Sequence, residues 1–530
     1  MFRRDNPRIV LTEIMLTLLA ILASGILGAV IYPSVFWGYK LPDMGFLAWI
    51  YLIPLYFALD PSSLKKNFKI TWITSLIFYG IILYWIMLAI TNFGGLTSLQ
   101  GAGVLIVLVG MMATFFAGFL SLAQKVVCKT NLPFFLVSTV FLVASDYART
   151  YFPAGGFHWA LPGYSQGNYL GYFQWIEWTG VFGLNAVIYL VNGLLFEVLR
   201  SLFVASYRYQ LVSRLIGAAL VMLVSVVASL LVPSFQDFDQ GREQRELVGL
   251  VQGNIPQDIR WDYKHAQNNI KKHVEMTQLA AEQGVGLVIW PETAYPFTVD
   301  LDWPVNLAFS DNPKMKTHVI LGAVSSRGTD NSQIYNSAFF LDDENKVLGV
   351  YHKRHLVPFG EYIPFQTWLS FAGNLTKAIG EFIPGRDAAL FHWKNDFFGT
   401  LICYEDIFPD LARQSTLAGA TVLVNMTNDA WYGNTSGQYQ HLVYSQMRAL
   451  ENRRFLLRAT NTGVTAIIDA RGKVTSFIPP WNQTVLLGSF VSLNHKTFYT
   501  RYGDWVVYLA IFMVFIFILI SFVRRKQNGQ

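Results

Sequence analysis

Residues 70–92, 101–124, 215–233 and 505–523 each run for 19 residues or more without one charged side chain. This constrains the fold more than any other feature of the chain. A bilayer core about 30 Å thick is crossed by about 20 residues at a rise of about 1.5 Å each. Within hydrocarbon each backbone N–H and C=O must find its partner inside the segment, so such runs fold as helices. Residues 11–32, interrupted by Glu13, and 45–59, 132–145 and 179–196 are weaker runs of the same kind, which gives an expectation of eight spans. A composition of 53% hydrophobic and 14% charged residues agrees with a multi-pass α-helical membrane bundle.

The first run follows Arg3, Arg4 and Arg8 and looks like a signal peptide. It is long and lacks a small-residue cleavage site, so it reads as a retained anchor. Lysine and arginine resist translocation, and they collect on one side: Arg3, Arg4 and Arg8; Lys65, Lys66 and Lys69; Lys125 and Lys129; Arg200, Arg208 and Arg214; Arg524, Arg525 and Lys526. Both termini are expected in the cytoplasm, and the long segment before the last span outside. This bias accounts for the net charge of +6, so no nucleic-acid partner is implied. Charges within the runs are Glu13, Asp146, Arg149, Glu177 and Glu197, few and near the ends, which argues against a transporter or scaffold.

Composition changes after Pro233. The expected division is 1–235 as a transmembrane bundle with spans one to seven, 236–503 as an outer catalytic domain, and 504–530 as a last helix with a cytoplasmic tail. Residues 236–246 are polar and linker-like. Strands are expected at 247–252, 286–290, 318–324, 336–342, 347–352, 399–404, 421–425, 455–459, 464–468 and 484–490, and helices at 263–283 and 438–453. The alternation suits one α/β domain. Residues 362–383 are aromatic-rich, too interrupted to span and too apolar for an ordinary surface loop. Two readings stand, a core helix and an arm that dips into the membrane.

The chain has two cysteines, Cys128 in a basic cytoplasmic loop and Cys403 in the outer domain, so they cannot pair with each other. A lone thiol on the oxidising side is a liability unless it is used. Glu292, Lys353 and Cys403 each stand at the end of an expected strand, where a rigid sheet leaves a side chain accessible. Acyl transfer through a thiol needs three groups: a nucleophile, a base to take its proton, and a cation for the tetrahedral oxyanion. Cys403, Glu292 and Lys353 match these in turn.

The contexts carry a resemblance. Trp290-Pro291-Glu292-Thr293, Tyr351-His352-Lys353-Arg354, Leu356-Val357-Pro358-Phe359-Gly360-Glu361-Tyr362, Ile402-Cys403-Tyr404-Glu405 and Asn428-Asp429-Ala430-Trp431-Tyr432 resemble the nitrilase superfamily of carbon-nitrogen hydrolases. With the expected spans and Val251-Gln252-Gly253-Asn254-Ile255-Pro256-Gln257, the likeness is closer still to the apolipoprotein N-acyltransferase family of Gram-negative inner membranes. It implies a nitrilase-like αββα sandwich on the periplasmic face. It also implies a two-step reaction in which Cys403 takes an acyl chain from a phospholipid and passes it to the α-amino group of a diacylglyceryl-cysteine on an apolipoprotein.

Supporting roles are expected for Glu361, which positions Lys353, shares proton handling or forms a structural salt bridge, for Tyr404, which shapes an acyl pocket, and for Glu405, which bonds into the site. Trp261 resembles a family tryptophan of the lipid path, with a plain core tryptophan as the other reading. His352 and His355 complete no ligand set, so no metal and no cofactor are expected. A membrane-tethered amidase, in which water resolves the thioester, is the nearest rival. The number of spans favours transfer over it.

Overall fold

The computed structural model describes residues 7–36, 38–93, 95–153, 155–232, 245–302, 307, 315–328, 333–362 and 381–527. The chain divides into two compact units. The first comprises Met1–Met87, Leu99–Val232 and Asp504–Gln530, and the second Leu88–Ser98 and Pro233–Gly503.

The first unit carries α1 (Pro7–Val30), a short hairpin of β1 (Val35–Phe36) and β2 (Tyr39–Lys40), α2 (Ile53–Ala58), α3 (Leu64–Ile82), the start of α4 (Tyr84–Phe93), α5 (Ser98–Thr130), α6 (Phe134–Tyr151), α7 (Ile176–Phe203) and α8 (Leu211–Leu231). Among the described residues five helices are long and apolar enough to cross a membrane, and six if α3 and α4, bent by 51° at their junction, count as one broken span. The expectation of eight also counted 45–59 and 132–145. The first of these is a 3-10 turn followed by the six-residue α2. The second is α6, 18 residues whose polar end holds Asp146 and Arg149, and it falls short of the apolarity of the five.

Where these helices touch, small residues let them approach. A methyl added at Gly25 of α1 would lie 2.9 Å from the Ile77 side chain of α3. Asp146 and Arg149 are buried and paired at 3.4 Å. The Arg149 guanidinium also donates to the Trp159 and Ala160 carbonyls, while Asp146 accepts from Asn185 and Tyr189. Every polar group of this cluster is thus answered from within the bundle, as burial away from water requires.

In the second unit the order is β3 (Glu246–Gln252), α9 (Tyr263–Glu282), β4 (Leu287–Ile289), β5 (Tyr295–Asp300), β6 (His318–Arg327), β7 (Gln333–Leu341), β8 (Val347–His352), β9 (Leu390–Trp393), β10 (Asp396–Ile402), α10 (Pro409–Leu417), β11 (Val422–Thr427), α11 (Gly437–Asn452), β12 (Phe455–Thr460), β13 (Thr465–Ile468), β14 (Val474–Ile478), β15 (Thr484–Phe490) and α12 (Phe498–Tyr502). The chain then enters α13 (Trp505–Gln527), which belongs to the first unit. One sheet runs β15-β3-β4-β6-β7-β8, with β5 also on β6, and the other runs β14-β13-β12-β11-β10-β9.

Strand parity sets the layers, because alternate side chains point to opposite faces. Val248, Leu250, Leu287 and Ile289 meet Phe398, Ile402, Val422 and Val424 of the other sheet in one core. Val251, Val288 and Val319 turn the other way, against Ile270, Val274 and Ala280 of α9. The α9 stripe keeps the spacing of an amphipathic helix, and the Asp262 side chain caps it by accepting from the Lys264 amide at 2.9 Å. α10 and α11 cover the outer face of the second sheet. The result is an α/β unit of four layers, helix, sheet, sheet, helix. The linker at 236–246 lies outside the described residues up to 244, and the 362–383 segment lies outside them from 363 to 380. The ends of the latter are described: the Phe382 amide donates to the Glu361 carbonyl at 2.9 Å.

Candidate active site

Strand direction gathers the site. β3, β4 and β6 are parallel, and β8 is antiparallel to β7, which is itself antiparallel to β6. Glu292 and Lys353 therefore leave their strands at the same edge. β4 and β5 both pair with β6, and between them residues 291–294 leave the ladder and carry Glu292 into the site. Gly322 of β6 makes room for this crossing, since a methyl there would sit 2.4 Å from the Thr293 amide nitrogen. Arg260 braces the bulge from behind, donating to the Glu292 carbonyl and the Thr293 hydroxyl.

Lys353 follows β8, with its amide bonded to the Asn336 carbonyl at 2.8 Å and its own carbonyl accepting from Gly385 at 2.7 Å. Its ammonium lies 2.9 Å from Glu361 Oε1 and 3.5 Å from Glu292 Oε1. Asn336 of β7 ties the two acids together, its Nδ2 donating to Glu292 Oε1 and to Glu361 Oε1 at 2.9 Å each. Glu292 Oε2 accepts the Asn428 amide at 3.1 Å, and Glu361 Oε2 the Val357 amide at 2.8 Å.

Cys403 stands one residue beyond β10, at the start of a 3-10 turn spanning Cys403–Ile407, with φ of +53°. The expected strand 399–404 therefore stops two residues early. A non-glycine residue in this left-handed region is held there by its surroundings. Asn425 Nδ2 donates to the Cys403 carbonyl at 3.3 Å. Glu405, fully buried, accepts from the Ile402, Arg354 and His355 amides at 2.7, 2.6 and 3.1 Å, and from the Tyr351 hydroxyl at 2.8 Å. One carboxylate thus ties the Cys403 turn to the segment that carries Lys353.

Glu292, Lys353, Glu361 and Cys403 are all less than a tenth exposed. Burial pushes the Cys403 thiol well above the usual range and the Glu292 carboxylate pushes it further, outweighing Lys353 and a hydrogen bond with Thr427. Burial alone would lower the Lys353 ammonium, but Glu361 and then Glu292 outweigh it and hold it above the ordinary lysine range. The resting site therefore contains a neutral thiol beside a fixed ammonium and two carboxyl groups.

Tyr404 is buried and meets Phe408 edge-on at 5.2 Å between ring centres. Trp261 is 48% exposed, which excludes the plain core tryptophan, and the Arg260 guanidinium lies 5.7 Å from its ring centre. Asn336, Arg260 and a buried network behind the Cys403 turn were not foreseen from the sequence. In that network Arg458 pairs with Asp406 at 3.1 Å and Asp429 at 2.9 Å, and His441 bridges the same two acids at 2.8 and 2.9 Å. The available signal was polarity out of phase with its strand, as at Asn336 and Arg458 inside otherwise apolar runs.

Two family profiles match: the apolipoprotein N-acyltransferase N-terminal domain over residues 24–194 and carbon-nitrogen hydrolase over residues 247–492. The apolipoprotein N-acyltransferase of Geobacter metallireducens is 34% identical over 529 residues, covering 97% of this chain and 96% of its own. This chain belongs to the apolipoprotein N-acyltransferase family. Relatives in that family from Haemophilus ducreyi (29% identical, 92% of this chain, 94% of the relative) and Chlorobaculum tepidum (28%, 95% and 96%) match it along nearly its whole length. Among solved structures, Saccharomyces cerevisiae Nit3 of the nitrilase superfamily is 19% identical with a TM-score of 0.36, covering 47% of this chain and 90% of its own. As a member of the apolipoprotein N-acyltransferase family the chain is an acyltransferase, with a nitrilase-like α/β domain and helices that can cross a membrane.

Proposed function

We propose that Cys403 takes a fatty acyl group from a phospholipid as a thioester and passes it to the α-amino group of a diacylglyceryl-cysteine at the N-terminus of an apolipoprotein. The family gives the reaction class, N-acylation of lipoproteins; the route through Cys403 is the proposal. One observation carries it: an acid, an ammonium and a thiol from three strand ends converge in one buried site.

The elevated thiol dictates the chemistry. A preformed thiolate is disfavoured, so the proton leaves as sulfur attacks, and Glu292 is the base that takes it. The carbon–sulfur bond forms at the ester carbonyl, and the oxyanion that develops is met by the Lys353 ammonium. Collapse breaks the ester carbon–oxygen bond, and the departing lysophospholipid oxygen takes the proton from Glu292. In the second half the acceptor amine attacks the thioester, giving up a proton through Glu292, and the carbon–sulfur bond breaks to return the thiol. Glu361 and Asn336 keep the ammonium and the base in register throughout.

Both substrates reside in a bilayer, which fits a chain order in which the proposed catalytic domain, 236–503, follows the bundle at 1–235 and precedes the last helix at 504–530. The proposed setting is a Gram-negative inner membrane crossed several times, with both termini cytoplasmic and the catalytic domain periplasmic. The test uses a phospholipid with a labelled acyl chain and a diacylglyceryl-cysteine peptide. Labelled amide should form with the parent chain and not with Cys403→Ser, because a hydroxyl is far harder to ionise than a thiol. Amide formation at the parental rate by Cys403→Ser would refute the route, and labelled free fatty acid in place of amide would mark a hydrolase.

A further inference from the structure

Arg260 is 6% exposed, and among the described residues it has no ion pair with a carboxylate. A guanidinium so deeply buried normally has one, because an uncompensated buried charge is costly. Its Nη2 is committed to the Glu292 carbonyl and the Thr293 hydroxyl, on the bulge that carries the proposed base. Its bond to the Glu292 carbonyl holds the guanidinium beside the residue that shares the site with Cys403.

The charges that face Cys403 can be counted by element. Glu292 on the 291–294 bulge and Glu361 after β8 both pair with Lys353. Asp429, after β11, is answered within its own network by Arg458 and His441. Glu405 in the nucleophile turn is answered by Arg354. Tyr432, after β11, is held protonated by burial, and His355 and His273 are pushed down to about 4, so all three are neutral. Glu292 and Glu361 share one ammonium, and Arg260, bonded to the Glu292 carbonyl, brings a second positive charge to that side of the site.

We propose that Arg260 is a positioning residue that sets the Glu292 bulge and supplies the second positive charge needed for Cys403 to ionise. This rests on Cys403 being the nucleophile. Burial draws the guanidinium down to about 10, with Glu292 and Cys403 opposing, so it remains a cation at neutral pH. The pocket it lines with Asn269, His273 and Asn461 is narrow and largely enclosed, which favours this role over binding a lipid phosphate.

The test follows alkylation of Cys403 by iodoacetamide from neutral to alkaline pH, in the full-length chain in detergent carrying Cys128→Ala. Below the thiol's midpoint the logarithm of the rate rises linearly with pH, so a displacement is readable without reaching the midpoint. Arg260→Gln keeps a hydrogen-bond donor but removes the charge, and should shift that line up by about one pH unit, slowing labelling about tenfold at a given pH. Arg260→Lys keeps the charge and should leave the line in place. Transfer from p-nitrophenyl palmitate, which has no phosphate, should fall as far in Arg260→Gln as transfer from phospholipid. An unmoved line in Arg260→Gln, a line displaced upward in Arg260→Lys, or a loss confined to phospholipid would each overturn the inference. Should Cys403 never carry an acyl group from either donor with Arg260 intact, the nucleophile reading itself fails, whatever the titration shows.

Discussion

As the proposed base, Glu292 has to act on the thiol without locking onto Lys353, and the distances explain how it does so. The ammonium sits 2.9 Å from Glu361 and 3.5 Å from Glu292, so Glu361 takes the closer ion pair and leaves the second acid free to accept a proton. Glu292→Gln should therefore remain folded, at a lowered melting temperature because both oxygens accept from donors, and yet form no acyl-enzyme, which denaturing mass measurement of the folded chain after exposure to phospholipid would check. Glu405 differs in kind. Its fully buried oxygens accept from three amides and a phenol, so Glu405→Gln turns an amide N–H toward backbone amides that can only donate. A loss on the order of 2–4 kcal/mol is expected, visible as a lowered melting temperature together with lost activity.

At the scale of elements, the residues proposed to carry chemistry stood out because acyl transfer demands particular side chains at strand ends, and ten of the strands were legible from alternation. The β5, β9 and β14 strands were not: β5 resumes β4 after a bulge that only Gly322 permits, and β9 and β14 are short edge strands. The network behind Cys403 was invisible for another reason, since Asp406, Asp429, His441 and Arg458 come from four separate segments and meet only in the fold. It makes its own prediction. Burial lowers His441, but Asp406 and Asp429 outweigh it and raise the imidazole from 6.5 to about 9. A raised value in the folded state gives stability that is complete below 6.5 and is lost as pH rises through about 9. The melting temperature of the chain should fall across that window, and His441→Gln should flatten the slope; a parental slope in the variant would assign it to other groups.

At the scale of the whole molecule, the charge-free runs were the plainest feature of the sequence, while their number was the least secure, because length and apolarity do not register a helix broken by 51° or a polar pair sealed inside α6. The proposed orientation puts the exposed Cys128 at the cytoplasmic surface, away from the chemistry. Cys128→Ala should leave turnover unchanged, and a membrane-impermeant maleimide should label Cys128 in inverted vesicles and not in right-side-out ones. The account as a whole depends on an acyl group resting on one sulfur. The most direct measurement is mass spectrometry of the Cys403 peptide after the chain has met phospholipid without acceptor, followed by a chase with diacylglyceryl-cysteine peptide. The account predicts one acyl chain on Cys403 with one lysophospholipid released, and its disappearance from Cys403 as the peptide gains an amide. An acylated peptide made while Cys403 stays bare throughout would contradict it.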